Sequence, residues 1–251
     1  MHPWEEKKAI YSRFIPEELL ERFAVNSDFV DAAGRSLLSL SCEEGSSDVE
    51  VDLRHQADAE DPLLYAHLTD TMNAQIHVLL YVVNDPAGPR FDVDRMPDGT
   101  PTRFGIMQRH IEAESAAMQF GLAPGQVRSG LRLLKHSTPA FEAFVESLGH
   151  DLFFVEPLSY HNAVVFERYG LAYVQGRRLM ERIHTGFQDG GELHTKLDGS
   201  SPFRVAENAE SIRGRSWAIH DGILGHPYRD VTMYKRIGAN AGIETFPAAS
   251  W

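Results

Sequence analysis

Histidines, with nearby carboxylates and arginines, carry most of the reactive chemistry in this chain, which has 12 histidines among 251 residues. Glu181-Arg182-Ile183-His184 sets a carboxylate and an imidazole at i and i+3, neighbours on one helix face, as in di-iron carboxylate bundles. His161 near Glu167, His194, and the two ends of His220-Asp221-Gly222-Ile223-Leu224-Gly225-His226 add nitrogen and oxygen donors. His161, Glu181, His184, His220 and His226 therefore form a candidate ligand set for Fe(II), Mn or Zn, although no second Glu-x-x-His pair occurs. His220-Asp221 also reads as an acid–base pair, since an imidazole held by a carboxylate is a competent base near neutral pH. Arg213-Gly214-Arg215 offers guanidinium forks for an anion, with a glycine that lets the anion approach the backbone, and Trp217 stands close by as a substrate contact. The plainer alternatives stay open. Each histidine can be a lone surface residue, and Ser216 to Gly222 can be a loop anchored by Trp217 and Ile219 with an Asp-Gly turn. Asp92-Val93-Asp94 with Asp98-Gly99 lacks the spacing and closing Glu of an EF-hand and reads as a strand end and a turn.

The elements that must position these groups follow from periodicity and punctuation. Ile15 to Phe23 is expected to be a short helix, with Pro16 in its first turn and Glu17 and Glu18 at the positive end of its dipole. Ser36 to Ser41 and the alternating Val49-Glu50-Val51-Asp52-Leu53 read as a hairpin around Glu43 to Ser47. Gln75 to Val83, the most apolar stretch, reads as a central strand. Helices are expected over Gly105 to Phe120 with Gly121 as C-cap, from Pro124 with Val127, Leu131 and Leu134 on one face, and from Thr138 as N-cap with Pro139 first. Leu152 to Val155 is a buried strand, Ser159 caps a helix to Tyr169, and a helix near Arg177 to Thr185 buries Leu179, Met180 and Ile183. The expected class is α/β in the mixed α+β sense. It is a single domain over 1–251, with a strand-rich N-terminal part and a helix–strand–helix C-terminal half. A subdivision near Pro101, into 1–100 and 101–251, is the alternative.

Leu152 to Gly176 resembles the later part of the fold in the GNAT superfamily of acyl-CoA-dependent N-acyltransferases. There a strand leads to an Asn-led helix and an aromatic-rich turn, and here Asn162 and Phe166-Glu167-Arg168-Tyr169-Gly170-Leu171 stand at those places. The similarity spans about residues 139–176 and implies a GNAT-like fold, acetyl-CoA or another acyl-CoA as cofactor, and transfer to an amine. It implies that Asn162, Ser137 and Thr138 contact the coenzyme, the last two at the N-terminus of the Pro139 helix, where free N–H groups favour phosphate. Tyr169, or His220 with Asp221, would move the proton, and Arg213, Arg215 and Trp217 would hold the substrate. Two positions differ: Phe166 stands where the family often has a tyrosine acid, and Lys135-His136-Ser137-Thr138 has no glycine where the family has a glycine-rich pyrophosphate loop.

Composition bounds the rest. With 24 Lys+Arg against 36 Asp+Glu the net charge is −12, which disfavours sequence-independent nucleic-acid binding. The longest apolar run, Val78 to Val83, is far below the ~20 residues of a membrane span, and Met1 to Phe14 shows no signal-peptide pattern. One cysteine, Cys42, excludes an internal disulfide and a thiolate metal cage. A cytoplasmic protein acting on a small molecule is expected, with no membrane or nucleic-acid partner and with homo-oligomerisation open. Three functions fit: an acyl-CoA-dependent N-acyltransferase, a metal-dependent enzyme using the histidine and glutamate set, or a non-enzymatic binding or assembly protein.

Overall fold

A computed structural model describes residues 3–103, 105, 107–247 and 250–251. Among the described residues the chain is a mixed α/β protein with seven α-helices and a seven-stranded mixed sheet, whose strands lie in the spatial order first, second, third, fourth, fifth, seventh, sixth. It packs into two compact units. Unit 1 comprises 1–87, 130–156 and 234–240, and unit 2 comprises 88–129, 157–233 and 241–251.

Unit 1 begins with α1 (Pro3–Tyr11) and α2 (Glu17–Arg22); the second is shorter than the expected Ile15 to Phe23, with Pro16 as its extended N-cap rather than in its first turn. An antiparallel meander follows: β1 (Leu38–Ser41), β2 (Val49–Leu53), β3 (Leu64–Asp70) and β4 (Ile76–Val83). Register is fixed by apolar pairs such as Leu38 with Leu53, Val49 with Leu68, and Leu64 with Val83. Because side chains alternate across a strand, Val49, Val51 and Leu53 all fall on the buried face. β4 is central, antiparallel to β3 and parallel to β5 (Leu152–Val155). The rings of Phe14, Phe141, Phe144 and Phe153 pack 4.8–5.6 Å apart and fasten α4 (Leu134–Ser147) to this unit. Buried Lys235, on β7 (Thr232–Arg236), is compensated by Glu142 at 3.4 Å and by the Ala239 carbonyl at 2.6 Å.

Two helix expectations are corrected here. No helix starts at Pro124: Gly125 has φ +82° and Arg132 φ +57°, and the Val127 carbonyl accepts the Phe91 N–H instead. The next helix begins at Leu134 rather than at Thr138, because the Leu133 carbonyl takes the N–H groups of both His136 and Ser137. Pro139 thus lies inside α4, where it leaves one carbonyl without its helical donor.

Unit 2 contains α3 (Ile111–Phe120), α5 (Tyr160–Arg168), β6 (Ala172–Gln175), α6 (Arg177–Gly186) and α7 (Ile212–His220). α3 ends on Gly121 at φ +108°, the expected C-cap, but starts at Ile111, six residues later than the expected Gly105. α5 follows Ser159 and stops at Tyr169, as its capping residues predict. Ser216 to Gly222 is not a loop. It belongs to α7 and its cap, with Ser211 Oγ accepting the Gly214 N–H, and α7 packs against α5. The core of this unit gathers Val93, Ala117, Leu122, Phe203 and Trp217.

Candidate functional sites

The first candidate is the part of the β4 edge in unit 1 that β5 does not cover. β5 pairs with β4 at only two positions, His77 with Phe154 and Val78 with Val155. On the other side of β4, His67 faces Leu80 while Leu68 faces Val78, so Leu79 is an extra residue with no opposite number. Such a bulge bends a strand and disrupts its ladder, and bulges are over-represented next to active sites. Leu79 to Val83 therefore have β3 on one side and no strand on the other among the described residues, and all five apolar side chains are only half buried. At this place the Tyr81 hydroxyl and Ser137 Oγ are buried without a hydrogen-bond partner of normal geometry. Burial pushes the Tyr81 hydroxyl up to about 12 despite Ser137 beside it. Ser137 belongs to the first turn of α4, where the N–H groups of Leu134 and Lys135 precede the first helical hydrogen bonds. Thr138 follows within the helix, so neither it nor Ser137 is a cap. The residues entering α4 are instead Arg128-Ser129-Gly130-Leu131-Arg132-Leu133, with a glycine and two arginines. The Thr-Pro pair that imitates a helix start at 138–139 hides them in the sequence.

The second candidate is a charged network in unit 2. Asp221 does not face His220. Its carboxylate accepts Arg109 Nη1 at 2.6 Å, Ser201 Oγ at 2.7 Å and Arg204 Nε at 2.8 Å. Burial opposes its charge, but these donors outweigh it and hold the carboxyl below its usual range. The partner of His220 is Glu114 of α3, 3.2 Å from Nε2 and almost fully buried. Glu114 also accepts Arg109 Nε at 2.9 Å and a second bond from Nη2. Here too burial opposes the charge, and hydrogen bonds from His220 and Arg109 pull the carboxyl down. An ionised Glu114 only accepts, so His220 Nε2 carries the proton donated to it. His220 stands edge-on to Trp217, with ring centroids 5.7 Å apart. The backbone of Gly105, at φ +87°, lies so close that a Cβ there would come 2.9 Å from His220 Cε1.

Behind this network His161 Nδ1 meets Ser216 Oγ at 2.9 Å, both buried. Burial, and then the charge of His220, push the His161 imidazole down to about 3, so it is neutral at ordinary pH. Trp217 is a core residue: it stacks on Phe203 and donates to the Leu122 carbonyl at 2.8 Å. Arg213 caps α3 through the Gly121 carbonyl at 3.0 Å. Gly214 serves packing rather than an anion, since a Cβ there would lie 2.7 Å from the backbone of Asn208. Arg215 is buried and donates to the Ala209 carbonyl at 2.6 Å. Asn162 is the third residue of α5, and Tyr169 is its half-buried cap.

The metal set is not gathered. His161 is held by Ser216, Glu181 pairs with exposed Arg177, His184 meets Arg215, and His226 is exposed against the Pro227 carbonyl. Among the described residues no three His, Cys, Asp or Glu side chains come together to hold a metal ion. Reasoning from sequence missed Glu114 and Arg109, although Glu114 sits three residues before Ala117 on the inward stripe of α3. Among the described residues no helix is long and apolar enough to cross a membrane. No protein-family model, curated protein or solved structure matches the chain.

Proposed function

We propose that this protein is an acyl-CoA-dependent N-acyltransferase of the GNAT kind, with the coenzyme arm along the part of the β4 edge that β5 does not cover. The observation that carries this reading is the end of β5 at Val155, opposite Val78 and just before the Leu79 bulge, which leaves the rest of β4 without a strand on that side among the described residues. A strand edge without a partner is a row of unpaired amide and carbonyl groups, and an extended ligand with its own amides can add to it as a further strand. The pantetheine arm of coenzyme A is such a ligand. The N-terminus of α4 supplies free N–H groups and the positive end of a helix dipole, with Lys135 exposed in its first turn, all suited to phosphate. The order helix, strand, helix and turn through α4, β5, α5 and Gly170 also agrees with what the resemblance implies.

In the reaction an amine nitrogen bonds to the thioester carbonyl carbon, the C–S bond breaks, and the sulfur leaves as a thiolate. The nitrogen must shed a proton and the thiolate gains one. Of the groups expected to move that proton, His220 is the one held by a buried carboxylate, Glu114 at 3.2 Å from Nε2.

Calorimetric titration of acetyl-CoA tests the reading. Saturable binding at micromolar Kd or tighter, about −8 kcal/mol, is expected. Lys135→Glu should weaken it roughly tenfold, the effect of about 1.4 kcal/mol in one phosphate contact. No saturable heat at two temperatures overturns the proposal. His220→Ala should then abolish measurable transfer to amines while leaving the coenzyme affinity unchanged.

A further inference from the structure

Arg215 is only 3% exposed, yet no carboxylate pairs with it among the described residues. A guanidinium carries five N–H donors, and burying a charge without its counter-charge is costly. Here Nε donates to the Ala209 carbonyl and Nη1 meets His184 Nδ1 at 3.2 Å. The Tyr160 hydroxyl faces the same guanidinium, and it too is buried without a hydrogen-bond partner of normal geometry. Two rings lie against the charge, Phe246 with its centroid 3.6 Å from Cζ and Phe187 at 5.2 Å. An acceptor must therefore approach along the edge of the fork, which suits the two coplanar oxygens of a carboxylate.

We propose that Arg215, Tyr160 and His184 form a binding site for a small monocarboxylate in unit 2, with Phe246 as the ring that yields to it. Phe246 sits on a C-terminal strap. The strap is tied on one side by Ala241 N–H to the Gly170 carbonyl and by Thr245 to Glu167, and on the other by the Ser250 carbonyl, which accepts the Ile212 N–H. Those ties flank Phe246, whose ring rests on the Arg215 guanidinium and beside the His184 ring. Burial, and then the charge of Arg215, lower the pKa of His184, and Arg215 is the permanent cation of the group. One positive charge matches a monoanion better than a phosphate dianion. The site stands independently of the coenzyme reading, since all its residues belong to unit 2 and acyl-CoA is not its ligand.

Acetate is the probe, titrated by calorimetry into the full-length Phe246→Ala variant at constant ionic strength. Saturable binding at millimolar Kd or tighter is expected, at least tenfold tighter than inorganic phosphate and at least tenfold weakened when Arg215→Met is added. Folded F246A that takes up no acetate, that takes phosphate equally well, or that binds acetate equally with R215M overturns the proposal. If F246A does not fold, thermal midpoints of the unaltered chain are compared in acetate and chloride of equal ionic strength. A rise in acetate that R215M abolishes supports the site, and equal midpoints in the two salts, or the same rise in R215M, overturn it.

Discussion

His161 gives the protein a pH dependence of definite sign. Its imidazole is held near 3 by burial, while an unfolded chain protonates histidine at about 6.5. Between those values the unfolded state binds more protons, so stability falls as pH drops below about 6.5, by about 3 kcal/mol on reaching pH 4. Glu114 and Asp221 have lowered folded pKa values, so their contribution is complete above the ordinary carboxylate range and is lost only below about pH 4. The two windows separate. His161→Gln should flatten urea-derived stability between pH 6.5 and 4 and leave the steeper acid limb intact. A slope unchanged by that substitution would show that His161 titrates normally. Glu114→Gln acts differently, leaving Arg109 and His220 without their buried acceptor; it should cost about 3 kcal/mol at pH 7, read from the same denaturation curves. None of this was legible from spacing. His220-Asp221 is adjacent in sequence, but at the end of a helix consecutive side chains diverge, and the true partner lies 106 residues away.

At the scale of elements, Pro139 distinguishes two placements of α4. Inside the helix it forfeits a hydrogen bond, so Pro139→Ala should raise stability by about 1–3 kcal/mol, measured as an increased thermal midpoint. At the first position of a helix the same change would be neutral or slightly harmful. Gly214→Ala should lower stability by about 1–3 kcal/mol, because the added methyl meets the Asn208 backbone, which cannot swing aside. These two residues also mark where the sequence misleads. Thr-Pro has the chemistry of a helix start, and Arg-Gly-Arg followed by Asp-Gly has that of a loop. Tertiary packing overrides both: Phe141, Phe144 and Val145 anchor α4, and Ile212, Trp217 and Ile219 bury α7. Where local pattern and packing agree, as in the β1–β2 hairpin, the centre of β4 and the Gly121 and Gly170 stops, periodicity alone places the element.

For the whole molecule, neither unit is a continuous stretch of chain. Unit 1 takes its last piece from 234–240, where Lys235 and the Gly238 N–H both reach Glu142. A fragment of residues 1–156 lacks that piece and leaves Glu142 without these partners. It should therefore give no cooperative melt by circular dichroism, whereas the full chain should. Composition and turn signals cannot reveal such interleaving, because the contacts that define it join residues about 90 positions apart or more.

The same interleaving governs how the protein is made. A nascent chain emerges in order, and residue 240 leaves the ribosome only after ~12–50 s at ordinary elongation rates. Until then the outer edge of β5, which β7 covers in the finished sheet, waits without its neighbour, and Glu142 waits without Lys235 and Gly238. The interval between translation of β5 and of β7 is thus when this chain is most exposed to aggregation and most dependent on chaperones.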